Sequence, residues 1–190
     1  MKFNMDIKQS LISNNIWWNG EKINSQFLLG RRREEFANII DKLDEKRILS
    51  IIGPRRVGKS TLIYQTIEYL LNEKNVDPKR VLLFSGDDPT LFFSENDKLS
   101  NIVEVYFNEI LEENISNLSS KVYIFIDEIH FIKNWQNYLK VCFDRKYNIK
   151  FIVTGSSSLH LFKDSNESLF GRIENIYVLR LTFIQCMIFY

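Results

Sequence analysis

The stretch Ile48–Leu62, ILSIIGPRRVGKSTL, decides the reading of this chain. An apolar run, Ile48-Leu49-Ser50-Ile51-Ile52, meets Gly53, and the segment closes on Gly58-Lys59-Ser60. This is the G-x-x-x-x-G-K-[ST] pattern of a phosphate-binding loop. Gly53 and Gly58 permit backbone angles and close approaches that a side chain would block. The expected cradle runs through Gly53, Pro54, Arg55, Arg56, Val57, Gly58, Lys59, Ser60 and Thr61, with its amides turned inward around an anion. The helix that follows adds free N–H groups and the positive end of its dipole. Lys59 supplies a point charge for β- and γ-phosphates, and Ser60 a hydroxyl for Mg²⁺. Leu62, Ile63, Ile67, Leu70 and Leu71 recur at helical spacing, so a buried strand leads into the loop and an apolar-striped helix leads out.

Around that stretch lie enough residues, 190 with 45% hydrophobic, for one α/β domain with its own core. Charge is balanced, 25 basic against 24 acidic residues for a net +1, which argues against nucleic acid as an obligatory partner. Cys142 and Cys186 have no metal-ligand spacing around them. The start, MKFNMDIKQSL, lacks the apolar core of a signal peptide, and no apolar run approaches a membrane span. The expected setting is reducing and cytoplasmic, with no membrane partner.

Downstream, Arg80–Phe84 reads as a second buried strand running into the acidic turn Ser85-Gly86-Asp87-Asp88-Pro89. Its carboxylates are either solvated or within reach of a site. Ile102, Val103, Tyr106, Phe107, Ile110 and Leu111 form an apolar helical stripe that reads as core. Val122–Ile126 is a third strand, capped by Asp127-Glu128. In a parallel sheet the strand C-termini share one edge, where ligands bind. There Asp127 would hold Mg²⁺ opposite Ser60, and Glu128 would polarise a water for attack on the γ-phosphate. His130 either positions a group near the nucleotide or satisfies a local hydrogen bond. Asn134–Tyr147 reads as a helix with a core face. Ile149–Val153 is a fourth strand, ending in Thr154-Gly155-Ser156-Ser157-Ser158, hydroxyls that suit either a γ-phosphate contact or a plain polar turn. Leu159–Phe170 reads as short helical pieces, Gly171-Arg172 precedes a fifth strand over Ile173–Leu181, and a last helix begins at Thr182.

Upstream, residues 1–29 yield no firm element. Ile16-Trp17-Trp18-Asn19-Gly20 suggests a packed segment ending in a turn, its rings covering a core edge or lying near an adenine base. Glu34–Glu45 reads as an amphipathic helix preceded by Arg31-Arg32-Arg33. Cations at a helix start oppose its dipole, a weak hint of an anionic contact set against ordinary solvated charge.

The order of GPRRVGKST (53–61), SGDDP (85–89), IFIDEIH (124–130), IVTGSSS (152–158) and FGRIE (170–174) resembles the AAA+ ATPase core, and within it the AAA_14 type, often paired with a C-terminal DUF4143-like region. The resemblance implies a P-loop three-layer α/β/α sandwich with a parallel five-stranded sheet of order 5-1-4-3-2. It divides the chain into an N-terminal segment, 1–29, packing near the nucleotide site, a core over 30–181, and the start of a truncated lid at 182–190. It implies a Mg²⁺-dependent ATPase with ATP as the ligand, a sensor position at Thr154–Ser156, and an arginine finger at Arg172 acting in trans within a homo-oligomer. A local pairing of Arg172, with Glu174 for example, is the alternative. The family's acidic and aromatic residues after the fifth strand are here Gln185 and Cys186, and a shortened lid leaves open a nucleotide-dependent binding switch with little turnover. The client, protein or DNA, is not encoded in these motifs.

Overall fold

The computed structural model of the protein describes residues 2–28, 32–91, 99–156 and 169–181. Five strands form one parallel sheet: β1 (Ile48–Gly53), β2 (Val81–Ser85), β3 (Val122–Asp127), β4 (Ile149–Ser156) and β5 (Ile173–Tyr177), in the order β2-β3-β4-β1-β5. Read from the other side this is the expected 5-1-4-3-2. The helices are α1 (Lys2–Asn14), α2 (Glu34–Asp41), α3 (Lys59–Asn72), α4 (Leu99–Tyr106) and α5 (Trp135–Asp144).

Side chains alternate across each strand, and the alternation sorts the core into two layers. Ile48 and Ile52 of β1, Leu82 and Phe84 of β2, and Val122, Ile124 and Ile126 of β3 pack with α1, α4 and α5. Leu49, Ile51, Leu83, Tyr123 and Phe125 face the other way, onto α2 and α3. β1 to β4 are thus buried on both faces, as a parallel sheet covered by helices requires, while the edge strand β5 is only partly buried.

Several element bounds differ from those the sequence suggested. β4 continues through Thr154-Gly155-Ser156 because it lies between β1 and β3, and Ile51, Ile52 and Gly53 of β1 stay in register with it. β5 stops at Tyr177 instead of Leu181: Val178 N–H still donates to Ile52 O at 2.7 Å, but β1 ends one residue on. α4 gives way to a π-helical turn, Phe107–Leu111, and α2 is shorter than Glu34–Glu45. Arg80 ends a 3₁₀ turn (Pro78–Arg80) before β2, its buried guanidinium held by Glu113, Ser119 and the Ser120 carbonyl. Gly30, Arg31, Ser157, Ser158, the pieces over 159–168, and the region 182–190 with Gln185 and Cys186 lie outside the described residues. Cys142 is buried in the core, where desolvation pushes its thiol up to about 11. Among the described residues no helix is long and apolar enough to cross a membrane.

The N-terminal segment, unassigned from sequence, shields the free edge of β2. An edge strand exposes unpaired backbone groups. Here the Asn15 side chain replaces a neighbouring strand: its Nδ2 donates to Leu83 O at 2.9 Å and its Oδ1 accepts from Leu83 N–H at 2.6 Å. Trp17 and Trp18 both donate their indole N–H to Val81 O at 2.9 Å. Val81 begins β2, so the indoles sit at the N-terminal edge of the sheet, remote from the phosphate loop, in the core-covering role. At that edge too, buried Lys150 donates to Glu45 O and Arg47 O at 2.8 and 2.7 Å, and desolvation lowers its amine to about 8.

Asn15→Ala strands the buried N–H and C=O of Leu83. The expected loss is about 2–3 kcal/mol of stability, read as a fall of roughly 5–10 °C in thermal midpoint. An unchanged midpoint contradicts the edge-capping role.

Candidate functional site

Because all five strands run the same way, β1, β2, β3 and β4 deliver Gly53, Ser85, Asp127 and Ser156 to one edge, with Gly53 in register with Ser156 and Ser85 with Asp127. The phosphate loop leaves β1 there and enters α3. Its two glycines act differently. Gly58 has φ +98°, a left-handed conformation with open space around it. Gly53 is a close approach: a Cβ there would lie 2.3 Å from Val178 O. Arg56 also takes a left-handed φ of 64°. Val57 is buried, and its carbonyl accepts from Arg33 Nη1 at 2.9 Å, while Arg33 Nη2 reaches Leu179 O at 2.9 Å and Glu35 at 3.0 Å. Arg33 therefore ties α2 to the loop and to the chain after β5. Arg32 pairs with Glu73 at 2.6 Å and lies over the Phe36 ring. In these contacts the described arginines of the triplet are structural.

Lys59 is buried with its Nζ 3.1 Å from Gly53 O and 3.0 Å from Pro54 O, and 3.9 Å from Glu128 Oε1. Its charge thus sits inside the curl of the loop. Ser60 Oγ donates to Asp127 Oδ2 at 2.7 Å. The other oxygen of that carboxylate, Oδ1, accepts from Thr154 Oγ1, which in turn accepts from the Glu128 N–H at 3.0 Å. Thr154 is fully buried in β4, so its hydroxyl orients Asp127 and Glu128 from inside the sheet. Ser156, two residues on, stands beside the loop. The structure brings Lys59, Ser60, Asp127, Glu128, Thr154 and Ser156 together.

Ser60 and Asp127 offer hard oxygen donors, the type Mg²⁺ prefers, and they line a cavity of about 140 Å³ with Asn14, Tyr64, Ser85 and Asp88. The pair fits such an ion. Burial, and then the Asp127 charge, raise the Tyr64 phenol above its ordinary value. Of the acidic turn, Asp87 accepts from Ser85 Oγ at 2.6 Å, while Asp88 joins the cavity and accepts from Asn14 Nδ2 at 3.0 Å. Through Asn14, and through Ser10 on Thr90 at 2.6 Å, the N-terminal segment reaches this edge.

Arg172 is not among these residues. Its carbonyl accepts from Ile48 N–H at 2.9 Å, at the opposite end of β1. Its guanidinium holds Asp144, with Nε at 2.7 Å from Oδ1 and Nη2 at 3.2 Å from Oδ2, and this keeps the Asp144 carboxyl below its usual range. Among the described residues Arg172 pairs with Asp144 and not with Glu174, which pairs with Lys42 and, at 2.8 Å, Arg47.

Two features of the site were not legible in its motifs. Glu128 adopts a left-handed φ of 47°, uncommon for a non-glycine residue. Gly86, just past β2, makes room for it: Gly86 N–H donates to Asp127 O at 2.8 Å, and a Cβ on Gly86 would lie 2.6 Å from Glu128 O. The Ser-Gly pair before the acidic turn was the available signal.

Comparison with known proteins bears on the family and the fold. The AAA_14 profile, described as an AAA domain, matches residues 45–187. The uncharacterized protein MJ1637 of Methanocaldococcus jannaschii is 36% identical over 119 residues, 62% of this chain and 23% of that protein. An uncharacterized protein of Haemophilus influenzae is 28% identical over 155 residues, 80% and 36% of the two chains. MJ1544, also uncharacterized and from M. jannaschii, is 32% identical over 142 residues, 75% and 28%. The chain spans between 23% and 36% of the length of these curated relatives. In the solved structures, S. cerevisiae Hsp104 in its extended complex with casein superimposes with a TM-score of 0.62 at 20% identity, over 94% of this chain and 32% of that one, a likeness of fold.

The Gly86 contact is testable by sterics alone, because Gly86 does not have a positive φ. Gly86→Ala should cost roughly 1–3 kcal/mol through overpacking and displace the Glu128 backbone amide resonance. An unmoved resonance with parental stability counts against the contact.

Proposed function

The chain belongs to the AAA_14 family of AAA domains, and on that footing we propose that it binds ATP with Mg²⁺ and hydrolyses it to ADP and phosphate. The observation that carries the reading is the carboxylate of Asp127, joined to Ser60 on one oxygen and Thr154 on the other, with Glu128 and Lys59 alongside.

The loop amides and the N-terminus of α3 surround the phosphates. Lys59 exchanges the Gly53 and Pro54 carbonyls for β- and γ-phosphate oxygens. Ser60 and Asp127 would hold Mg²⁺, which would supply charge neutralisation for the phosphates. Glu128 accepts a proton from water as its oxygen attacks the γ-phosphorus, and the bond to the β–γ bridging oxygen breaks, leaving that oxygen on ADP. Thr154 fixes Asp127 and the Glu128 amide, and Ser156 serves the γ-phosphate or the attacking water. Buried donors and charges set in advance around the phosphates stabilise the charge of the transition state.

Arg172 enters from a second copy. Its side chain is partly exposed at the far edge of the sheet, and Phe170 beside it is 79% exposed. In an assembly it would leave Asp144 for a neighbour's γ-phosphate.

Glu128→Gln should retain Mg-ATP binding and lower turnover by roughly a hundredfold or more. Arg172→Ala should behave likewise. Mixing the two inactive variants should restore part of the turnover, since a mixed interface can pair an intact Glu128 with an intact Arg172. Normal turnover by Glu128→Gln, or no recovery on mixing, contradicts the respective assignment.

A further inference from the structure

Glu128 presents its two carboxylate oxygens to different surroundings. Oε1 is 3.9 Å from Lys59 Nζ, toward the phosphate loop. Oε2 is turned away, 3.3 Å from Nδ1 of His130. Both Oε2 and Nδ1 are buried, and neither has a hydrogen-bond partner in good geometry among the described residues. Two buried polar atoms without partners are costly unless they satisfy each other, and these two lie within reach of doing so. His130 has little freedom to go elsewhere. It sits in the 3₁₀ turn Ile129–Phe131 directly after Glu128, with Ile129 fully buried and its own ring against that of Phe131 at 4.4 Å.

The need for such a partner follows from charge. Without nucleotide, Lys59 is a cation close to Oε1, at 3.9 Å. A triphosphate claims that ammonium and brings several negative charges toward the Glu128 carboxylate. Repulsion would then push the carboxylate out of line, on a backbone already in an uncommon left-handed conformation. A donor on the far oxygen opposes this displacement.

Resting on the hydrolytic reading above, we propose that His130 is a positioning residue for Glu128: its Nδ1–H donates to Oε2, holding the carboxylate so that Oε1 alone faces the attacking water. His130 touches neither nucleotide nor water. It acts through the orientation of the base, whose displacement by about 1 Å can cost a hundredfold in rate.

The test uses the 190-residue chain. His130→Ala should lower kcat by roughly a hundredfold with Mg-ATP affinity near that of the parent, and should lower the thermal midpoint by a few degrees because Oε2 is left buried without a donor. His130→Asn places an amide N–H where Nδ1 stood and should restore most of the turnover. Independently, imidazole nitrogen spectra of the nucleotide-free protein should show a proton on His130 Nδ1 and a shift of that nitrogen in Glu128→Gln. His130→Asn separates its signal from that of His160, the other histidine. Parental turnover in His130→Ala overturns the proposal, as does an Asn variant no better than Ala, or a bare Nδ1. If the parent itself turns over no ATP, the hydrolytic reading fails, and the imidazole spectra alone decide whether His130 holds Glu128.

Discussion

The Asp127 carboxylate is the junction on which the rest of this structure depends. One oxygen receives the hydroxyl of Ser60, at the start of α3; the other receives that of Thr154, inside β4. Asp127 itself ends β3, and its carbonyl takes the Gly86 N–H from beyond β2. Three parts of the chain, separated widely in sequence, thus converge on this one residue of β3. Each hydrogen bond to a carboxylate is stronger than a neutral one, and together they fix the edge at which the phosphate loop opens.

The parallel sheet makes this convergence possible. With every strand pointing the same way, the loops at one edge can collect the site residues while the other edge collects unrelated contacts. That second edge holds the indoles of Trp17 and Trp18 on Val81, Lys150 on the carbonyls of Glu45 and Arg47, and the Arg172–Asp144 pair. Residues adjacent in the family's motif order are therefore split: Thr154 and Ser156 belong to the phosphate edge, and Arg172 to the opposite one. A role for Arg172 at a γ-phosphate is consequently a role toward another copy.

What could be read from the sequence was what is local in it. The loop from Gly53 to Thr61, the strand ending in Asp127-Glu128 and the apolar stripe of α3 each declare themselves within about a dozen residues, and the sheet order was implied by the family resemblance that the motifs carry. Contacts across long separations left no such mark. Asn15 bonds Leu83 across 68 positions, and nothing local in Asn14-Asn15-Ile16 announces that an amide will stand in for a strand. α1 was missed although Ile7 and Leu11 have the right spacing, because its other residues are mostly polar. Thr154-Gly155-Ser156 read as a turn, whereas pairing with β1 carries it on as strand. His130 was ambiguous because its meaning lies in the unusual backbone of Glu128, which only the fold reveals.

The central claim is that this edge of the sheet is built for a magnesium-bound triphosphate. Titration calorimetry of the folded protein with ATP, in Mg²⁺ and again in chelator, tests it most directly, with Lys59→Ala alongside. Saturable binding that tightens with Mg²⁺ and weakens in the lysine variant is the predicted result. Absence of heat for the folded parent protein, or identical isotherms for parent and variant, would contradict the account.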